Sequence, residues 1–496
     1  MKKLFILFLC NISFTVFAQP KSSYTEQYRP QFHFSPAINW TNDPNGLVYV
    51  NSAHHLFYQY NPFGNVWGHM SWGHAISYDL VHWQHLPVAI PEEKGVMVFS
   101  GSCVFDKNNT SGFGKKGKEP MVAIYTGHTE KNQAQCLAYS LDAGRTWTKY
   151  AKNPVLDLHK KDFRDPKVFW HAETKKWVMA VMLPAEHTVQ FYGSKNLLEW
   201  NLLSEFGPAG DTTGIWECPD LFQANIENTA DKKWILTMSI GNISTMQYFI
   251  GEFDGTIFRS ENPPTKIYRP DYGPDYYAAI AYNNLPLAQQ ATMIGWVNNW
   301  NYANDIPVTP WKGAFSLPRN ISIKRSNEGW ILLQRPIKTL EQLRSPLMTS
   351  KNFTVNGNTK LDVKSSQFEM HLNFHATPNG IAGVRLAVGN DHYFEIGYDA
   401  TKQKLYIDRS KTVNQNFNKK FQELSRYETT LLPKGNNIEL HVYFDNSIVE
   451  IFANDGEAVM TSQIFPAKDE NDIVLFSNNP ATFSNVTVWQ MKSAWQ

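Results

Sequence analysis

Cysteine is scarce in this chain of 496 residues, and neither sign of charge dominates: there are four Cys, and 46 Lys and Arg stand against 45 Asp and Glu. A formal charge of +1 leaves no basic field to attract nucleic acid or an anionic membrane surface, so neither partner is expected. Gly (29) and Pro (27) are at ordinary levels, which excludes collagen-like and low-complexity chains. The cysteines make no disulfide framework: Cys10 falls in an N-terminal leader, and Cys103, Cys136 and Cys218 remain as an odd set. Cys103 and Cys136 read as strand thiols, with a bridge between them as the alternative in an oxidising compartment.

Long apolar runs are also missing. The opening MKKLFILFLCNISFTVFAQ carries Lys2 and Lys3, an apolar run from Leu4 to Leu9 that weakens toward Phe17, and a small-residue cleavage site ending at Ala18. Asn11 and Ser13 interrupt the run, which is shorter than the ~20 apolar residues of a membrane span. Residues 1–18 are therefore expected to be a secretory signal peptide, and the mature protein to be secreted or periplasmic.

What the chain has in abundance is aromatic residues: 16 Trp, 22 Tyr and 31 Phe, a composition that favours strands and flat binding surfaces. Five segments begin with a polar or acidic cluster and run into an apolar strand: DPNGLVYVN from Asp43, SGSCVFDKN from Ser100, RDPKVFWHA from Arg164, ECPDLFQAN from Glu217 and DYYAAIAYN from Asp275. A second strand follows each at a similar offset, and SYDLVHW, SLDAGRTW and SKNLLEW close three of the units at Trp83, Trp147 and Trp200. Short strands recurring at this period predict a five-bladed β-propeller over residues 27–335, with a β-sandwich of chance-similar strands as the rival reading. In a propeller the first strand of each blade lines the axis, so Asp43, Asp165, Glu217 and Asp275 are expected to converge on one pocket.

RPIKTLEQLRSP, bounded by Pro336 and Pro346, is the longest plausible helix in its region and predicts a linker over 336–346. Beyond it Phe368, Met370, Leu372 and Phe374 alternate with polar residues, as do Ile438, Leu440, Val442 and Phe444. This period of two predicts an all-β companion, a C-terminal β-sandwich over 347–496.

Two apparent motifs lack their context. Gly112, Gly114 and Gly117 satisfy GxGxxG but have no helix after them, and His69, His74, His82 and His85 lack the helical pairing or the cysteines of a zinc site. No metal site is expected. The carboxylates carry more: glycoside cleavage needs an acid to protonate the leaving oxygen and a second carboxylate to attack or to activate water, and Asp43 and Glu217 are candidates. Asn42, Asn45, Gln59 and Arg164 are suited to hydroxyls, and Trp40, Trp67 and Phe99 to walling a sugar ring. Arg164 beside Asp165 supplies charge to keep a carboxylate ionised.

At these residues the sequence resembles glycoside hydrolase family 32, the invertases, inulinases and levanases. The resemblance is carried by WTNDPNGL (40–47), HLFYQYNP (55–62), WGHAISYDLVHW (72–83), FSGS (99–102), FRDPKV (163–168), ECPDLF (217–222), GPDYYA (273–278), GWVNNWNYA (295–303), SLPR (316–319) and DNSIVEIFAND (445–455). It implies a five-bladed propeller joined to a β-sandwich, with Asp43 as nucleophile, Glu217 as general acid/base and Asp165 as the group that holds fructose hydroxyls and stabilises the transition state. It matches Asn42, Gln59, Trp67, Phe99, Ser100, Arg164 and Trp296 to sugar-contacting positions, and Asp275 more weakly. Thr41 stands where the family usually has Met. The implied activity is the release of terminal fructose from levan or inulin, with sucrose as a secondary substrate and without a cofactor. The alternatives are a sucrose-preferring invertase, an endo-levanase or a fructosyltransferase, separable by their products, and a non-catalytic fructan-binding propeller, which is disfavoured because Asp43 and Glu217 are both present.

Overall fold

The computed structural model describes residues 24–495 apart from 116, 287, 288, 328 and 376, so the leader lies outside the described residues. The first part of the chain is five antiparallel blades around an axis. Their inner strands are Asn39–Val50, Met97–Phe105, Arg164–His171, Trp216–Ile226 and Tyr277–Ala281. Each inner strand touches the next, and the fifth returns to the first. An apolar layer fills each gap between blades; Phe57 and Trp72 of the first blade, for example, pack on Val98 and Met121 of the second. The same occurs between blades two and three, three and four, four and five, and five and one. Alternation along each strand supplies both faces of these layers, because successive side chains point to opposite sides.

The three recurring Trp-terminated segments are one turn design. Ser77 Oγ accepts from Leu80 N (2.8 Å), while Asp79 Oδ1 accepts from Val81 N (2.9 Å) and His82 N (2.8 Å). Ser194 and Asn196 repeat the pattern, and Trp200 Nε1 then donates to Leu197 O at 3.0 Å. Ser140, Asp142 and Trp147 build a longer third version, in which Ser140 Oγ and Asp142 Oδ1 accept from backbone four residues on and Trp147 Nε1 donates to Gly144 O. Side-chain oxygens that bond backbone two or three residues on are what makes Ser, Asp and Asn turn formers.

The ring is closed in two ways. Blade four joins blade five through the parallel pairs Asn225–Ser322 and Ile226–Ile323, and Trp311–Lys312 runs parallel to the first inner strand at Asn39 and Trp40. Inside blade one, His55 Nδ1 and His74 Nε2 lie 3.0 Å apart, buried beneath the Phe57 ring, which stacks on His74 at 4.1 Å. Burial, with the charges of His54 and Arg145, pushes the His55 imidazole down to about 4, and burial pushes His74 well below its ordinary range.

The expected connector helix is a 3-10 turn, Lys338–Leu343, that buries Leu340 and Leu343 in the same apolar cluster as Trp40 and Leu56. The one α-helix among the described residues, Lys419–Glu423, was not anticipated; Asn418 caps it by accepting from Lys420 N and Phe421 N. The rest is a two-layered sandwich around an apolar core that includes Phe368, Leu372, Val442 and Phe483. The strand Asp472–Met491 serves both layers, pairing first with Ile381–Val388 and then, after a bend, with Gln367–His375.

Buried charges tie sandwich to propeller. Arg319, fully buried, donates to Asp271 Oδ2 (3.0 Å), Glu450 Oε2 (Nε, 3.1 Å) and Thr461 Oγ1 (2.7 Å). Glu450 Oε1 lies 3.0 Å from His33 Nε2, whose Nδ1 lies 2.8 Å from Asp445 Oδ2. Burial opposes the His33 charge, but its hydrogen bonds to Asp445 and Glu450 outweigh that and hold its pKa up at about 9. In a second cluster Asp275 pairs with Arg409 (2.8 Å), accepts from Tyr302 OH (2.6 Å) and from Gln463 N (2.7 Å), and has no exposed surface. The expectation that Asp275 faces a sugar is therefore corrected: Arg409 and Gln463 of the sandwich hold its Oδ2, and Tyr302 of the propeller holds its Oδ1. Cys103, Cys136 and Cys218 are free thiols; the strand Met121–His128 separates the first two.

Candidate active site

At the pocket end of every inner strand the antiparallel register slips. The slips fall between Thr41 and Pro44 and again between Asn45 and Val48 in the first inner strand, and between Val98 and Gly101, Arg164 and Lys167, Glu217 and Asp220, and Tyr277 and Ile280 in the others. Such bulges bend a strand and re-aim its side chains. In blades three, four and five the slip contains a left-handed residue that is not glycine: Asp165 (φ 65°), Cys218 (φ 48°) and Ala278 (φ 50°). Each costs about 1–3 kcal/mol, supplied by the paired strands on either side. Arg164, Glu217 and Tyr277 immediately precede these residues, so they hold equivalent positions in adjacent blades, and they meet.

Glu217 Oε1 accepts from Arg164 Nη2 (2.9 Å) and Oε2 from Tyr277 OH (2.5 Å). Asp43 Oδ1 accepts from Asn42 Nδ2 (3.0 Å), and its Oδ2 accepts from Ser100 Oγ at 2.7 Å and lies 3.4 Å from Cys218 Sγ. Trp40 Nε1 donates to Asn42 Oδ1 at 2.8 Å, which fixes the amide with its nitrogen toward Asp43. Asp165 is tethered at its backbone, which donates to Thr126 Oγ1 (3.0 Å), and at Oδ2, which accepts from Cys218 N (2.9 Å). Three carboxylates from three blades thus share one recess, with Cys218 touching two of them and Arg164 the third.

That crowding perturbs the acids. Burial pushes Asp165 up to about 7; Arg164 opposes this, and the charges of Glu217 and Asp43 add to it. Burial also raises Asp43, against the hydrogen bonds from Asn42 and Ser100 that favour its ionised form. Below the acids the axis is nearly filled. Buried Lys167 pairs with buried Asp220 (2.9 Å) and donates to Ala281 O (2.8 Å), and the remaining cavity of about 20 Å³, lined in part by Asn45, Ser100 and Asp165, has room for about one water. The recess is a blind pocket.

Trp67, 40% exposed, stands edge-on to Phe99 with ring centres 6.2 Å apart at its mouth. Gln59 is buried and donates to Val98 O (3.0 Å), tying blade one to the strand that carries Phe99 and Ser100. Trp40 and Trp296 depart from expectation. Both are fully buried, packed against each other and against Trp300, and it is half-buried Trp300 that lies outermost in the group. Sequence reasoning missed Trp300, Tyr277 and Thr126. Tyr277 and Trp300 lie inside quoted motifs, GPDYYA and GWVNNWNYA, and the repeat alignment of the five segments was the signal for Tyr277. The clustered histidines disperse: His69 reaches Glu92, His74 reaches His55, His82 reaches Asp79 and His85 reaches Tyr24.

A propeller closed by a β-sandwich, with three acids, an arginine and a phenol around a blind axial pocket rimmed by aromatics, defines a class of glycoside hydrolase. Residues 33–336 match the glycosyl hydrolases family 32 N-terminal domain and residues 339–490 the family's C-terminal domain. The chain belongs to glycosyl hydrolase family 32. It is 44% identical to a levanase of Bacillus subtilis over 98% of this chain and 74% of that protein, and 39% identical to an extracellular exo-inulinase of Aspergillus niger over 95% and 96%. Among solved structures it superposes on exo-inulinase from Aspergillus awamori with a TM-score of 0.91 at 37% identity, covering 95% of this chain and all of that one. A fructofuranosidase from Schwanniomyces occidentalis complexed with fructosylnystose gives 0.87 at 31% identity, over 96% and 99%.

Proposed function

We propose that this protein is a secreted, retaining exo-β-fructosidase that removes terminal fructose from levan or inulin, with sucrose as a secondary substrate. The observation that carries the reading is the joint placement of Asp43, Asp165 and Glu217 in one blind pocket. Asp43 attacks C2 of the terminal fructosyl unit while Glu217 gives its proton to the departing oxygen; Glu217 then takes a proton from water, which hydrolyses the fructosyl-enzyme and frees Asp43. Arg164 and Tyr277 hold the Glu217 carboxylate in place for both transfers. Asp165, tethered by Cys218 N, holds ring hydroxyls, an interaction that strengthens as charge develops on the sugar. Asn42 and Ser100 orient Asp43 by their hydrogen bonds, and Trp67 and Phe99 wall the entering ring.

A pocket closed beneath the acids suits one chain end better than the middle of a polymer, and the levanase and exo-inulinases to which the chain is similar support the same substrates. Secretion rests on the leader through Ala18 and on the extracellular exo-inulinases; among the described residues no helix is long and apolar enough to cross a membrane. The test is the earliest product of levan and of inulin digested with little enzyme. Free fructose with slow loss of polymer length is expected. An early ladder of oligosaccharides refutes exo action, and longer chains built from sucrose would make the enzyme a transferase.

A further inference from the structure

We infer that His128 is a substrate-binding residue for the leaving sugar, the unit on the far side of the scissile bond, to which it donates a hydrogen bond from Nε2. The inference rests on the fructosidase reading above and extends it from the terminal fructose to its neighbour. His128 ends the strand Met121–His128 in blade two. Its ring lies flat on Phe99, with centres 4.1 Å apart and planes 6° from parallel, and Trp67 stands against the same Phe99. Trp67, Phe99 and His128 therefore form one row along the mouth, and the row is anchored beside the reacting acids because Ser100, next to Phe99, donates to Asp43.

The polarity of the ring follows from its partner. Across the hairpin, Gln133 Oε1 accepts from Phe163 N (2.9 Å) and from Arg164 Nη1 (3.2 Å). Both are obligate donors, so the oxygen of the amide is fixed there and its nitrogen faces His128 Nδ1 at 3.2 Å. An amide nitrogen only donates, hence Nδ1 is the bare acceptor and the ring proton sits on Nε2. Burial and the Arg164 charge lower the pKa of the imidazole and favour this neutral form. Among the described residues Nε2 has no protein partner, nor is it among the enclosed polar atoms left without one. A single oriented N–H on a flat ring backed by Phe99 is suited to a sugar hydroxyl.

The side of the bond follows from connectivity. His128, Gln133, Arg164 and Glu217 form one hydrogen-bonded chain, with links of 3.2, 3.2 and 2.9 Å. This link to Glu217, the acid that serves the leaving oxygen, is the ground for assigning His128 to the leaving-group side.

The experiment compares sucrose and 1-kestose, whose leaving groups are sugars, with methyl β-fructofuranoside, whose leaving group has no hydroxyl to bind. A neutral hydrogen bond is worth about three- to tenfold. His128→Phe, which keeps the stack, and His128→Ala should each lose that much kcat/KM on the two sugars and stay within about twofold of the wild type on the methyl fructoside, which also reports that the variants fold. Equal losses on all three substrates, or a pH profile shifted alike for all three, would show that His128 acts only through Gln133 and Arg164 and would overturn the inference. Unchanged rates on all three would overturn it as well. A wild-type enzyme that hydrolyses none of them refutes the fructosidase reading itself, an outcome distinct from any change in the variants.

Discussion

Acidification should weaken the first blade through the His55–His74 pair. The sign is set by the depression of both imidazoles in the folded chain. Between pH 6.5 and about 4 an unfolded His55 binds a proton that the folded one refuses, so stability falls as pH drops through that window and falls no further from this residue below it. At about 1.36 kcal/mol per pH unit, His55 alone accounts for ~3 kcal/mol. With ~2.1 cal/mol/K of unfolding entropy per residue, the whole chain unfolds with ~1 kcal/mol/K, so this amounts to ~3 °C in Tm, or ~5 °C where the propeller unfolds by itself. Titration of other groups also moves Tm, and the double variant His55→Leu/His74→Leu isolates the pair, since it removes both partners of the buried hydrogen bond together. The measurement is Tm by calorimetry at pH 7 and pH 4 for both proteins. His74, held lower still, refuses a proton over the same window and adds about as much, so the double variant should lose ~6–10 °C less than the wild type over that interval. Equal losses would refute the account, and so would a single His74→Leu variant as stable as the wild type at pH 7, because His55 Nδ1 would then be buried without its partner at a cost of ~1–3 kcal/mol.

Asp43→Asn should abolish turnover, whereas Glu217→Ala should lose ~10²–10⁴-fold on fructans, keep a slow reaction on substrates with good leaving groups and be accelerated by azide; near wild-type turnover of Asp43→Asn would mean that another group is the nucleophile. Asp165→Asn should lower kcat by ~10²-fold or more with a much smaller rise in KM, and a change in KM alone would make Asp165 a uniform binding residue. The raised pKa of His33 predicts alkaline weakening of the domain contact: its stabilisation is complete below about pH 6.5 and is lost as pH rises through about 9, so His33→Gln should flatten the fall in Tm between pH 7 and 10.

The architecture was legible because period and alternation are properties of the chain itself. The convergence of Asp43, Asp165 and Glu217 was legible because each opens one of five recurring strands, and recurrence of position around an axis implies convergence. What stayed hidden depended on which side chain answers which across distant segments. Asp275 stands at a strand start like the other acids, and nothing in its neighbourhood announces Arg409 and Gln463 of the sandwich. Trp40 and Trp296 were assigned to the wall because tryptophans in sugar motifs stand at the surface or behind it, and depth cannot be read from residue type. The hydrogen-bonded chain through Gln133 was illegible for the same reason, since its two ends meet only when blades two, three and four are in place.

The repeated bulge of the inner strands has a consequence for how such a pocket changes over time. Arg164, Glu217 and Tyr277 are a cation, an acid and a phenol, yet each projects from the same point of the same backbone distortion. The distortion belongs to the paired strands and not to the residue it displays. In blades three, four and five the pocket wall is therefore an array of equivalent addresses, whose occupants are exchangeable while the scaffold stays put. New chemistry on this ring requires a substitution at an address and no remodelled loop, and a side chain moved from one blade to the next arrives at the same depth facing a different neighbour.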